Sequence, residues 1–146
     1  MTQTRTAKAT FTVSDWSEKV IVNIDSIGSQ INGIYRPDRG ISLATVGYDY
    51  SGEINGTGTV TYLITYTSDE SPTVGFERFI GSISGHDGSC VFRHIATHGK
   101  ESVTARIDVI PGMGTGGLEK LRGTAELALT GHSDTGYDIE LSFDID

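Results

Sequence analysis

Val74-Gly-Phe-Glu-Arg-Phe-Ile-Gly-Ser-Ile-Ser-Gly-His-Asp-Gly-Ser-Cys-Val-Phe-Arg-His-Ile-Ala-Thr-His98 reads as two strands around a tight turn. Valine, isoleucine, phenylalanine and threonine favour extended backbone, and Gly85-His-Asp-Gly88 supplies the turn chemistry between them. Asp87-Gly88 suits a two-residue type I′ turn. That turn places Glu77 opposite His98, Phe79 opposite Ala96 and Gly81 opposite His94. A turn on His86-Asp87 instead sets Glu77 opposite Ala96, diagonal to both histidines. Either even-length turn leaves Glu77 on one face with His94 and His98, whereas a three-residue turn separates them.

The flanking segments extend the same face. A Gly99-Lys100 turn pairs His98 with Glu101 and Phe92 with Ile107. Cys90, Phe92, His94 and Ala96 then lie beside Val103, Ala105, Ile107 and Val109, an apolar neighbour that marks the buried side. On the other flank, Tyr66 opposite Thr73 pairs Tyr62 with Glu77. Three hairpins thus converge on a face holding Tyr62, Tyr66, Glu77, Phe79, Cys90, Phe92 and His94. Further out, Asn55-Gly56 is a strong hairpin signal that turns Asp49 and Thr45 inward, and Tyr48, Tyr50 and Val46 outward. A bulge near Gly52 reverses that choice and puts the aromatic pair inside. The sequence leaves both open.

Along the whole chain, strands are expected near 7–16, 41–53, 57–67, 73–85, 89–98, 101–110, 122–130 and 137–145. Nineteen glycines in 146 residues, against a usual share of about 7%, punctuate them. Residues 114–121 could hold one helical turn, and 17–40 read as a strand-like piece followed by a loop, free to act as lid, strand pair or arm. Eight short strands with little helix give an all-β domain, barrel or sandwich. Tyr137-Asp-Ile-Glu-Leu-Ser-Phe-Asp-Ile145 alternates polar and apolar residues, as a half-buried antiparallel strand does. One domain is expected from the length.

Nineteen acidic against eleven basic residues leave a formal charge of −8 and a pI near 4.8. Such a chain lacks the cationic field that phosphate backbones or anionic lipid surfaces attract. Nucleic acid and membrane are therefore not expected partners. Met1-Thr-Gln-Thr-Arg-Thr-Ala-Lys8 has no apolar run, which points to the cytoplasm. The single cysteine, Cys90, allows no intrachain disulfide and no multi-cysteine zinc site.

Four stretches resemble a bacterial family of small uncharacterised proteins with the allene oxide cyclase-like barrel fold. They are Gly56-Thr-Gly-Thr-Val-Thr-Tyr62, Val74-Gly-Phe-Glu-Arg-Phe-Ile-Gly81, Gly88-Ser-Cys-Val-Phe-Arg-His94 and Pro111-Gly-Met-Gly-Thr-Gly-Gly-Leu-Glu-Lys-Leu-Arg-Gly123. The resemblance covers roughly residues 42–145 and implies an eight-stranded antiparallel β-barrel with an interior cavity. It implies no activity for the family. Cys90 and His98 stand where the family pattern has bulky apolar residues, and 17–40 is longer than its usual first connection.

Within such a cavity Glu77, His94 and Tyr62 are the candidate catalytic groups. A buried carboxylate, an imidazole and a phenol can move a proton or steady a developing charge. The structural alternative makes Glu77 a carboxylate tied to Tyr62, Arg78 or Arg93, and His94 a core histidine capped by a tyrosine. Tyr66, Phe79, Cys90, Phe92 and His98 are candidate substrate-binding residues. No metal site is expected, since His94 and His98 lie about 13 Å apart on a strand rising roughly 3.3 Å per residue. The glycine-rich 112–117 lacks the residues of a phosphate loop and reads as a turn. Resemblance to allene oxide cyclase and similar barrels implies a cofactor-free cyclase or isomerase that folds a small hydrophobic substrate into a reactive shape. A non-catalytic carrier of such a molecule, or a filled barrel acting in assembly, fits the same sequence. Homo-oligomer formation is left open.

Overall fold

The computed structural model describes residues 4–99, 102–130 and 135–146, and among these the chain is all β. Eleven strands follow in order: β1 (Arg5–Asn23), β2 (Gly28–Ile31), β3 (Ile34–Pro37), β4 (Gly40–Gly52), β5 (Ile54–Tyr66), β6 (Ser71–Ile83), β7 (His86–His98), β8 (Ser102–Val109), β9 (Thr115–Gly116), β10 (Arg122–Thr130) and β11 (Tyr137–Asp144). The antiparallel order β1-β4-β5-β6-β7-β8-β10-β11 closes when β11 pairs β1, giving an eight-stranded barrel. β9 adds a short ninth strand beside β7, and β2–β3 form a separate hairpin. Closure leaves the eight long strands without an open edge.

The barrel has a filled end and an open end. At the filled end Ile54, Phe79, Ile83 and Phe143 pack together, and Leu118 and Leu121 plug the bottom. These two leucines sit on the turn after β9, where Leu118 N–H donates to Thr115 O and Leu121 N–H to Leu118 O. Residues 114–121 thus form β9 and the turn after it, not a helix. Across the outside, Leu43, Leu63, Val74 and Ile95 are directly paired on four neighbouring strands and are all exposed.

The three expected hairpins from β5 to β8 keep their inward faces, but each slips by an even number of residues. β6 and β7 turn on Ser84-Gly85, both at positive φ (48° and 83°), so Glu77 lies opposite Phe92 and Gly75 opposite His94. Gly88 is not a turn residue. A side chain there would overlap the Thr115 carbonyl, and Gly117 N–H donates to Asp87 O at 2.6 Å. Gly88 is small so that β9 can lie against β7. Likewise Tyr62 pairs with Gly75, not Glu77, and His98 with Val103. Lys100 and Glu101 lie outside the described residues.

The β4–β5 corner departs further from the Asn55-Gly56 turn. Gly52, at φ 115°, carries the bend, Tyr50 pairs with Gly56, and Gly56 sits against Gly81 where the strands come close. Tyr48, Tyr50 and Val46 consequently face inward and Asp49 is exposed. The first strand runs past residue 16 to Asn23, with a register shift between Val13 and Asp15. Such a bulge flips the side-chain alternation, so Ala7, Ala9 and Phe11 face in before it and Trp16 and Glu18 after it. Residues 17–40 are therefore a strand pair, β1 with β4, crowned by the β2–β3 hairpin.

Candidate functional site

The open end encloses a cavity of about 540 Å3, within the roughly 300–1,000 Å3 typical of small-molecule sites. Ile64, Ile107, Leu127, Leu129 and Ile139 make much of its wall apolar. Its polar lining includes Tyr48, Tyr50, Tyr62, His94 and Tyr137 in the depth and Tyr66, His98 and Arg36 near the mouth.

Glu77 lies just behind that wall, fully buried, projecting from β6 beneath His94 of β7. Its Oε1 meets His94 Nε2 at 2.6 Å, and Tyr50 Oη donates to its Oε2 at 2.6 Å. His94 Nδ1 lies 3.3 Å from Tyr62 Oη, which lies 2.9 Å from Tyr48 Oη. A line of side chains from four adjacent strands thus joins an interior carboxylate to the cavity. Two inward glycines make the room. A Cβ on Gly58 would overlap the Glu77 carboxylate, and one on Gly75 would press on the Tyr62 ring.

The donor order follows from what each group can do. A carboxylate only accepts, so His94 Nε2–H donates to Glu77. Nδ1 accepts from Tyr62 O–H when the ring is neutral, with Tyr62 accepting from Tyr48, and donates to Tyr62 when the ring is protonated. Burial pushes the Tyr48 hydroxyl up to about 12, against the opposing pull of the Tyr62 hydrogen bond and with Glu77 adding to the rise. Burial, and then the neighbouring Glu77 and Tyr48 respectively, hold Tyr50 and Tyr62 well above the ordinary phenol value. All three tyrosines are neutral hydrogen-bonding groups at neutral pH.

Of the residues singled out from sequence, Tyr62, Tyr66, His94 and His98 line the cavity. Glu77 reaches it through His94 and Tyr50, and its partners are these two rather than Tyr62, Arg78 or Arg93. Phe79, Cys90 and Phe92 do not line it; they belong to the core of the filled end. The register slip accounts for this, because it moves His94 level with Gly75 and leaves Cys90 opposite Phe79. Burial lifts the Cys90 thiol to about 12, with the Glu77 charge adding, so it is a protonated core side chain. His98 Nε2 lies 2.9 Å from the Thr65 carbonyl and its ring meets Tyr66 edge-on at 5.5 Å.

Four participants escaped the sequence reading or were left undecided there. Tyr48 and Tyr50 needed the Gly52 corner, and Glu18 and Arg36 needed the bulge and the hairpin. The Glu18 side chain is wholly buried at the mouth, accepting from Tyr66 Oη and, at 3.1 Å, from Trp16 Nε1. Arg36 of β3 approaches it at 3.6 Å.

A family model described as "Protein of unknown function (DUF3224)" matches residues 7–141. Among solved structures, a protein of unknown function from the DUF3224 family of Shewanella oneidensis MR-1 is similar, with a TM-score of 0.69 at 17% identity. The alignment covers 99% of this chain and 98% of that one, and at this identity it speaks for the fold. No protein of curated function matches.

Proposed function

We propose that this chain, which belongs to the DUF3224 family, is a cofactor-independent enzyme of the isomerase or cyclase type acting on a small apolar molecule held in the barrel. The observation that carries this reading is the unbroken line from Glu77 through His94 and Tyr62 to the cavity wall. A carboxylate that fixes an imidazole through one nitrogen leaves the other aimed at a proton donor, the arrangement general acid–base catalysis needs. In this role Glu77 orients His94 and steadies the imidazolium formed when it takes a proton. The apolar wall contributes proximity, holding a flexible substrate folded so that its reacting atoms meet.

The allene oxide cyclase-like barrels supply an analogy for chemistry of this kind, and analogy of fold is a weaker support than the site itself. The Glu18, Tyr66 and Arg36 group would close the mouth over the bound molecule. A lone buried thiol suits a reducing compartment, in keeping with a cytoplasmic protein.

Native mass spectrometry of the protein as purified, with identification of whatever small molecule it releases, supplies the substrate class to assay. We expect an apolar adduct whose analogues are converted by the wild type. Glu77→Gln should retain binding and lose conversion. Conversion undiminished in Glu77→Gln would sink the acid–base assignment, and binding without conversion by either protein would make the barrel a carrier.

A further inference from the structure

The inner groups of the line are committed on both sides, while the phenols at its two ends, Tyr48 and Tyr50, each have one hydrogen-bond partner among the described residues and line the cavity. The Tyr50 proton is fixed on Glu77, so Tyr50 can only accept. Glu77 accepts from His94 and Tyr50, both His94 nitrogens are engaged, and Tyr62 sits between His94 and Tyr48. Tyr48 has Tyr62 as its single hydrogen-bond partner among the described residues and lines the cavity. A phenol both donates and accepts, so its second capacity is open to whatever occupies the cavity.

Which capacity is open depends on the far end of the line. With His94 neutral, every O–H points toward Nδ1: Tyr48 donates to Tyr62, Tyr62 to His94, and Tyr48 can only accept from the cavity. With His94 protonated, Nδ1–H donates to Tyr62, Tyr62 donates to Tyr48, and the Tyr48 proton turns to the cavity. The same reversal is the path of a proton. A ligand O–H gives its hydrogen to Tyr48, Tyr48 gives its own to Tyr62, and Tyr62 gives its own to His94. The ligand is left as an oxyanion accepting from Tyr48, two phenols away from an imidazolium held by Glu77.

We propose that Tyr48 is the residue that meets the ligand's polar atom, and that the protonation state of His94 sets whether it offers that atom a donor or an acceptor. The inference rests on the cavity being the working site and names its ligand class: a compact apolar molecule with one carbonyl or one hydroxyl-type group. The groups facing His94 are Tyr48 and Tyr50 from β4, Tyr62 from β5 and Glu77 from β6. β8 brings only Ala105 and Ile107 to that face. The raised tyrosines stay protonated through the neutral range and so can relay the change.

Indanone and indole are suitable probes, alike in size, one only accepting and the other only donating. Their dissociation constants are measured by NMR titration over the pH span in which the ring signals of His94 itself change. We expect indanone to gain on indole by roughly fivefold on acidification, the net worth of one hydrogen bond. In Tyr48→Phe both probes should still bind, with their ratio flat across the same span. The ratio cancels any general effect of pH. Binding with a flat ratio in the wild type, or a ratio that still moves in Tyr48→Phe, would overturn the inference and leave cavity binding intact. Failure of both probes to reach the cavity would overturn both. A moving ratio without any conversion dependent on Glu77 would sustain the inference and remove the enzymatic reading.

Discussion

Glu77 is fully buried with Tyr50 and His94 on its two oxygens, and each of these neighbours depends on it in turn. Removing one partner of a buried polar pair leaves the other unsatisfied. We expect Glu77→Ala to lower stability by about 3–5 kcal/mol in urea denaturation, because His94 and Tyr50 lose their acceptor together and a cavity opens. Glu77→Gln should cost clearly less, since it keeps the volume; an equal loss would mean that the carboxylate's charge and paired acceptor oxygens, rather than its shape, hold the site together. Gly58→Ala acts on the same carboxylate from the opposite strand. Its methyl group lands where the Glu77 oxygen sits, so we expect a loss of about 1–3 kcal/mol and a displaced His94 imidazole signal. An unchanged His94 spectrum would show that the carboxylate has room to spare. That Glu77 and His94 share a face was legible in the sequence, because an even-length turn preserves side-chain parity. Their direct contact was not, because it depends on which pair of residues forms the turn.

At the scale of the element, glycine was the source of both success and error. Gly85 is in a turn as a positive-φ residue, whereas Gly56 and Gly88 are in strands because another backbone lies against them. Turn propensity cannot separate these uses, since both need only the missing Cβ. The Asn55-Gly56 and Asp87-Gly88 pairs therefore attracted turns that belong at Gly52 and at Ser84-Gly85. The bulge after Val13 was equally hidden, as nothing local marks it except Gly47, which leaves space for the Ser14 side chain. Two substitutions separate the roles of the residues around this turn. Ser84→Gly relieves a left-handed conformation at φ 48°, and we expect it to be neutral or to stabilise by a few tenths to about 1 kcal/mol. Gly88→Ala should instead destabilise, by pushing β9 and the Leu118 plug off β7. Thermal melts that place the two variants in the reverse order would contradict this division.

For the molecule as a whole, the filled end and the open end divide stability from function. The buried tyrosines and Cys90 tie the two through pH. Tyr48 and Cys90 ionise in the folded state only near about 12, against ordinary values of 10.0 and 9.0, and Tyr50 and Tyr62 are displaced in the same direction. Above those ordinary values the unfolded chain releases protons that the folded chain keeps. Stability is therefore complete below about pH 9 and falls as pH rises toward about 12. The tyrosinate absorbance of Tyr48, Tyr50 and Tyr62 should appear together with unfolding; ionisation of these three near 10 in a folded barrel would show that water reaches them.

The barrel's closure, its cavity and its plugged base come from the pairing of all eight strands, and no single hairpin contains them. The most direct test is an NMR titration with indanone that follows nitrogen-labelled His94 together with ring signals of Tyr48, Tyr62, Phe79 and Phe92. We expect saturable shifts at His94, Tyr48 and Tyr62, with Phe79 and Phe92 in the filled end left unmoved. Shifts confined to the outer face of the barrel, or none at all, would contradict a ligand-accessible cavity joined to Glu77 and His94.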